Sequence, residues 1–266
     1  MEVASVEPIV KTEGICLRVM PWSTTSHIVV WHTPEAGVIN LVVKGACRPK
    51  SLHLGQYDRF YSCELLYYRR DRSGLHAIRE CAPQKPREGL RANWRAVQTA
   101  SYLAELVERT AGGPTGAARV QRALTRALDE LAENAEADRS LVMMWFEVQL
   151  LAALGLAPRL EICPACASEQ VVWLDFSLTS GRFICPHRLG ERGQVVKLQP
   201  RIVRAYCALA ALPTPHLPEA EGEFAENQTI LKSRLGLSRF LGIFIQFHLE
   251  LPLAVRRVAE ASEKGS

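Results

Sequence analysis

The chain has 266 residues, 32 Lys+Arg against 28 Asp+Glu for a formal charge of +4, and 48% hydrophobic with 23% charged residues. This is ordinary globular composition, which excludes a disordered or fibrous chain, and a prior of roughly 150 residues per domain points to about two domains. The net charge is too small to announce a nucleic-acid binder by itself, so such a reading must rest on where the cations sit.

The opening residues, Met1 to Pro8, are acidic and lack the basic and apolar regions of a signal peptide. The longest apolar stretch, Leu141 to Ala157, carries Glu147 and Gln149 and is too short and too polar to span a bilayer. It reads as a buried helix. Cys16, Cys47, Cys63, Cys81 and Cys207 are scattered through apolar periodic segments, whereas Cys163, Cys166 and Cys185 cluster. That usage favours reduced thiols in a cytoplasmic protein, with the cluster as a metal candidate.

Short β-branched or aromatic runs fill the first 80 residues: 14–19, 27–31, 38–43, 60–68 and 75–78. Turn material separates them, at 21–26, 34–37 and 70–74. Five short strands with no helical pattern between most of them predict a small closed barrel, with an SH3-like barrel as the competing small-barrel architecture. After Pro83 and Pro86 the period becomes helical: Leu90, Trp94, Val97, Ser101, Ala104 and Val107, then Val120, Leu124, Ala127, Leu128 and Leu131. Asp138 to Leu154 is apolar on nearly all sides and reads as the central helix of a bundle. Helical character resumes over 200–212, 224–235 and from 238 to about 258. The chain therefore reads as an α+β multidomain protein. A barrel domain covers 1–82, a helical domain covers 83–160 and 194–266, and a knuckle is inserted at 161–193.

Cys163-Pro164-Ala165-Cys166 is a C-x2-C knuckle, followed after 18 residues by Cys185-Pro186-His187-Arg188. Two such knuckles about 15 to 20 residues apart form a zinc ribbon, because each tight turn aims two thiolates at one tetrahedral ion. The position of a fourth cysteine holds Arg188, and His187 one residue earlier can complete a Cys3His set. The reading is one structural zinc on Cys163, Cys166, Cys185 and His187, with a vestigial, metal-free ribbon as the alternative. Residues 171–176 between the knuckles look like a β-hairpin arm.

Residues 44–79 carry eight cations, Lys44, Arg48, Lys50, Arg59, Arg69, Arg70, Arg72 and Arg79, against three acids, Asp58, Glu64 and Asp71. Tyr57, Phe60, Tyr61, Tyr67 and Tyr68 are interleaved, with Trp22 and Trp31 earlier. Cations that follow phosphates and aromatic faces that stack bases make a single-strand groove. The bland alternative has Tyr61, Leu65 and Tyr67 alternating into the core while the arginines solvate a turn. The 44–50 loop, with three cations directly after a strand, points to phosphate contact. Arg119, Arg122 and Arg126 form a helical basic stripe that reads equally well as a solvated face.

No G-x-x-x-x-G-K-[ST], G-x-G-x-x-G, G-x-S-x-G or H-E-x-x-H motif occurs. The seven histidines form no paired constellation along the chain, no cysteine–histidine nucleophile pair can be placed, and His248 reads as a core or interface residue. A binding protein fits better than an enzyme.

A small barrel, a helical domain and an inserted knuckle, in that order, resemble the RecO family of bacterial recombination mediators. Residues 14–19 and 26–29 look like that family's first two strands, and 42–51 is similar to its K-G-A-R-R-x-K-S loop, with Cys47 in place of one arginine. Residues 67–70, 75–81 and 100–107 also look like family signatures. The resemblance implies a non-catalytic DNA repair protein with an OB-fold, a helical domain and a zinc knuckle. It implies binding of single- and double-stranded DNA, annealing of complementary strands, work with RecR, and engagement of the tail of single-stranded DNA-binding protein so that RecA can load. DNA contact carries over to Lys44 and Arg48, and the composition adds Lys50, Arg69, Arg70 and Arg72. Cytoplasmic, nucleoid-associated localisation follows from the same resemblance. The competing reading is a zinc-ribbon protein–protein adaptor with an SH3-like barrel and no DNA binding.

Overall fold

The computed structural model describes residues 8–70, 74–161, 173–184, 193–217 and 224–250, together with Arg256 and Ala259. The chain divides into two compact units, Met1–Ala137 and Asp138–Ser266.

The first unit opens with five strands: β1 (Ile9–Ser23), β2 (Ser26–Thr33), β3 (Gly37–Val43), β4 (Ser62–Tyr68) and β5 (Leu75–Lys85). They close into a barrel in the order β1-β2-β3-β5-β4. β1 pairs with β4 through Ile9–Ile15 and with β2 through Ile15–Ser23, so a single strand serves two neighbours in succession. The parallel pairing of β3 with β5, Asn40↔Leu75 to Val42↔Ala77, completes the closure. Consecutive strands β3 and β4 are not neighbours in this order, as they are in a meander, and the arrangement is that of an OB-fold. β1 runs further than its hydrophobic pattern predicts, through Pro21 and Trp22, because the hairpin to β2 turns only at Ser23–Ser26.

Trp31, Leu41, Leu65, Cys16 and Cys63 are among the side chains filling the barrel. Gly14 lies where β1 passes from one partner to the other, and a Cβ there would come within 2.6 Å of Leu65 Cδ1 and 3.1 Å of Trp31 Cε3. The strand can cross so close to the core only without a side chain. Cys16, Cys47, Cys63, Cys81 and Cys207 are free thiols. A hydrogen bond with Cys81 and burial push the Cys63 thiol far up, so it packs as a neutral core group.

Three helices complete this unit: α1 (Gly89–Ala92), α2 (Trp94–Thr110) and α3 (Ala117–Glu133). Asn93 caps α2 by accepting hydrogen bonds from the backbone N–H groups of Arg95 and Ala96. Helix α3 buries Val120, Ala123, Leu124, Ala127, Leu128 and Leu131, a stripe at helical spacing, and keeps Arg119, Arg122 and Arg126 exposed. The barrel holds these helices through polar links. Arg18 on β1 pairs with Glu108 on α2, and the β2 residue His32 places Nδ1 2.6 Å from Gln121 Oε1 on α3. Arg87, fully buried, donates to Phe60 O at 2.6 Å, to Ser62 Oγ at 2.9 Å and to Asp129 Oδ1 at 2.7 Å. The barrel and its first three helices therefore form one compact body, and the division between units falls after Ala137.

The second unit contains α4 (Arg139–Ala153), a small sheet of β6 (Leu174–Ser177), β7 (Arg182–Phe183) and β8 (Val195–Leu198), then α5 (Pro200–Ala211) and α6 (Phe224–Leu249). The predicted hairpin arm exists as β6 and β7, with β8 added on the other side of β6. Helix α4 is buried almost all round, as its pattern predicts, Glu147 included. Where the pattern suggested separate helices over 224–235 and from 238 onward, α6 is continuous. Gly236 does not break it but lets α5 approach: a Cβ there would lie 2.8 Å from Ile202 Cδ1. His248 packs against the Phe244 and Phe247 rings, 4.3 and 5.1 Å between centroids. No helix among the described residues is long and apolar enough to cross a membrane.

Glu147 is fully buried because Arg256 meets it with a two-pronged ion pair, Nε to Oε1 at 2.7 Å and Nη2 to Oε2 at 3.0 Å. Glu147→Ala leaves that guanidinium buried and uncompensated, and should cost about 3–5 kcal/mol in urea unfolding. Replacing both partners, as in Glu147→Leu with Arg256→Met, should cost much less; equal losses would count against the pair. Burial lowers the pKa of His32. The unfolded chain then binds a proton that the folded chain resists below about pH 6.5. The His32 contribution to stability should be fully present above neutrality and be lost as the pH drops through that value. Thermal midpoints across this range should show a shallower slope for His32→Gln than for the parent, and identical slopes would contradict the assignment.

Candidate nucleic-acid interface

The register of the barrel gathers three connections at one end. Pro21 and Val43 both pair with His27, which puts the β1–β2 hairpin tip beside the loop that follows β3. Tyr68 and Val42 both pair with Ala77, which brings the β4–β5 connection to the same end. The loops after the first and fourth strands flank the surface on which OB-folds take oligonucleotides.

The loop from Lys44 to Ser51 is built as successive turns. The Arg48 N–H donates to Gly45 O at 3.1 Å and the Ser51 N–H to Arg48 O at 2.9 Å. Gly45 takes a left-handed φ of 67° that a side chain would strain. Two bonds tie the loop to the hairpin tip: the Gly45 N–H donates to Ser26 Oγ at 3.3 Å, and the Cys47 N–H to Thr25 O at 3.2 Å. Ala46 is buried in the barrel core. With its middle anchored inward, the loop keeps Lys44, Arg48 and Lys50 exposed. Such a set can contact phosphates without first being ordered.

At the β4–β5 connection Arg69 is exposed and Arg70 half-buried. Their backbone is fixed by bonds from Arg69 N–H to Pro8 O at 2.9 Å and from Arg70 N–H to His76 Nδ1 at 3.0 Å. Arg72 lies outside the described residues, as do Cys163, Cys166, Cys185 and His187.

Most of the interleaved aromatics do not face this surface. Trp31, Phe60, Tyr61 and Tyr67 are buried, Tyr67 by the period-two alternation of β4. The exposed ring at this end is Trp22, 62% accessible, in the β1 segment leading to the hairpin tip. Leu52 and Leu54, in the loop leading to β4, are exposed too.

The structure also brings together a pair that could not be placed along the chain. Cys47 Sγ lies 3.3 Å from His27 Nε2, and His27 Nδ1 lies 2.8 Å from the Tyr57 hydroxyl. The expectation of no paired cysteine and histidine is thereby corrected; the β2–β3 register, which sets His27 opposite Val43, accounts for it. Burial, and then the neighbouring Cys47 thiol, push the Tyr57 hydroxyl well above its ordinary range. The chain of three side chains locks the basic loop onto β2. Among the described residues no three His, Cys, Asp or Glu side chains gather as metal ligands.

The chain matches two family models that between them cover most of its length. Residues 7–87 match the recombination protein O N-terminal region and residues 91–257 its C-terminal region. Among curated relatives, the DNA repair protein RecO of Alkaliphilus metalliredigens (strain QYMF) is 32% identical over 179 residues, 66% of this chain and 71% of the relative. The DNA repair protein RecO of Bacillus subtilis (strain 168) is 27% identical, covering 74% and 75% of the two chains. That of an Exiguobacterium species is 26% identical over 250 residues, 94% and 95% of the two. With both regions matched and the barrel closed in OB-fold order, the chain belongs to the RecO family, recombination protein O.

Proposed function

We propose that this chain is a non-catalytic DNA repair and recombination mediator that binds single- and double-stranded DNA at the loop end of its barrel and anneals complementary strands. In the same reading it works with RecR and with the tail of single-stranded DNA-binding protein to load RecA, in the cytoplasm at the nucleoid. The observation that carries the DNA-binding part is the anchored loop with Lys44, Arg48 and Lys50 exposed beside the Trp22 hairpin. The named relatives, all DNA repair proteins, support the wider role.

Annealing asks for no covalent step. Cations lower the repulsion between two phosphate backbones, and an exposed ring can hold an unpaired base for its partner. Lys44, Arg48 and Lys50 supply the charge, with Arg69, Arg70 and Arg72 as further contacts, and Trp22 supplies the ring. The adaptor alternative loses ground because the barrel has OB-fold rather than meander order.

A structural zinc on Cys163, Cys166, Cys185 and His187 belongs to the same proposal. Its support is the chain order of the hairpin: β6 and β7 pair through Phe176↔Phe183, and the Ile184 N–H donates to Asp175 O at 2.8 Å. The chain thus enters the hairpin from the Cys163 side and leaves it toward Cys185 at one end. The metal would hold that end closed; it has no part in DNA chemistry.

Lys44→Glu with Arg48→Glu should weaken single-strand binding and lower the slope of log affinity against log salt by about 1.4, two contacts at about 0.7 each. Unchanged affinity and slope at several salt concentrations would remove the loop from the interface. Atomic absorption on the purified chain should find one zinc per molecule, reduced in His187→Ala. A metal-free parent protein would overturn the zinc assignment.

A further inference from the structure

At the other end of the barrel, where the helices pack, a cavity of about 170 Å³ opens between the start of β4 and helices α1 and α2. Its lining includes Arg59, Arg87 and Arg91 with a single acid, Asp58. Phe60 and Tyr61 form an aromatic wall, with the Arg59 guanidinium 4.9 Å from the Phe60 ring centre and that of Arg91 5.6 Å from the Tyr61 ring centre. Arg87 is buried, and its Nη2 has no hydrogen-bond partner while its other nitrogens are engaged. A buried donor left unmatched costs free energy unless something occupies the site.

The backbone gives a second, independent sign. Among the described residues three non-glycine positions have positive φ, and two of them, Phe60 at 70° and Arg87 at 53°, line this cavity. Strain of this kind persists where the surroundings enforce it, and it gathers at ligand clamps. Trp94, the first residue of α2 and three positions from the lining residues Arg91 and Val97, is 60% accessible, with the Arg95 guanidinium 5.5 Å from its ring centre.

We propose that this end of the barrel is a second nucleic-acid site. The guanidiniums of Arg59 and Arg91 take one backbone phosphate of a single strand, with the buried Arg87 behind them, and Trp94 stacks an adjacent base. Arg91 is paired with Asp58 at 3.0 Å and Arg87 with Asp129 at 2.7 Å, so Arg59 is the cation in excess, and a phosphate would meet planar forks that offer paired donors to its oxygens in exchange for Asp58. The exposed indole of Trp94 favours a nucleic-acid strand over an acidic peptide, because a strand presents a flat base next to every phosphate. The register separates this site from the Lys44 loop. Phe60 and Tyr61 bond with Cys16 beside the His32 end of β2, whereas the loop abuts His27. Five residues of strand at about 3.3 Å each put the two ends roughly 17 Å apart. One chain can then hold two strands at once. The inference rests on the reading of the chain as a DNA binder, but not on the Lys44 loop.

The test is photo-cross-linking of the full chain to a single-stranded oligonucleotide carrying 5-iodouracil, followed by peptide mapping. Two cross-linked peptides are expected, one containing Trp22 and one containing Trp94. Lys44→Glu with Arg48→Glu should remove the first and leave the second. Trp94→Ala, an exposed position whose loss leaves the thermal midpoint unchanged, should remove the second and slow annealing about tenfold, as loss of one stacked base implies. Arg91→Ala should do the same. If only the loop reading is at fault, the loop variant keeps both cross-links and the second site stands. No cross-link at Trp94, its loss in the loop variant, or protection of that peptide by an acidic peptide and not by the oligonucleotide, each overturns the proposal.

Discussion

Closure of the barrel depends on β1 being shared. A strand of 15 residues gives its first half to β4 and its second half to β2, and every other placement in the first unit follows from that exchange. Because Ile15 pairs with both Ser62 and His32, the start of β4 lies by the end of β2, whereas the end of β3 lies away from it, opposite His27. One end of the barrel is left for short loops and the other for helices. The cationic loop has a fixed shape because it caps the first end and sinks Ala46 into the core. At the second end, Arg87 meets backbone, a hydroxyl and a carboxylate from two separate segments, 60–62 and α3. These two anchoring residues do opposite things: the apolar one presents charge to solvent, and the charged one is withdrawn from it.

The number of strands and their rough spans were legible in the sequence because alternation and turn residues are local signals. Barrel order was not, since the β3–β5 pairing joins residues 35 apart in its first bridge, Asn40↔Leu75, and no local pattern encodes it. The cations of the 44–50 loop were legible for a similar reason: their exposure follows from a turn just beyond a strand. The aromatics misled. Tyr61 and Tyr67 share the composition of stacking residues, but Tyr67 falls on the inward phase of β4 and Tyr61 is buried just before that strand, and composition does not carry phase. His27 and Cys47 were invisible as a pair because 20 residues and one strand crossing separate them. Arg87 gave the least warning, an arginine next to a turn whose burial depends on partners 25 to 42 positions away.

Charge in this molecule is organised by depth rather than by total. The Glu147–Arg256 and Arg87–Asp129 pairs remove ions from solvent with matched geometry, whereas Lys44, Arg48 and Lys50 stay hydrated. Breaking such a buried pair is costly because it leaves an uncompensated charge, and the pairing leaves the field at the loop end to Lys44, Arg48 and Lys50. A net charge of +4 is the balance of all 32 cations and 28 acids and describes neither population.

The parallel pairing of β3 with β5 also sets an order of events during synthesis. β3, with the run Gly37-Val38-Ile39-Asn40-Leu41-Val42-Val43, has β2 on one side and nothing on the other until Leu75 and the residues after it have been made. For that interval the nascent chain carries an apolar edge open to pairing with another molecule. The β3–β4 connection is therefore more than a carrier of cations: its Lys44, Arg48 and Lys50 follow that edge directly in the chain, where like charges on two nascent copies repel.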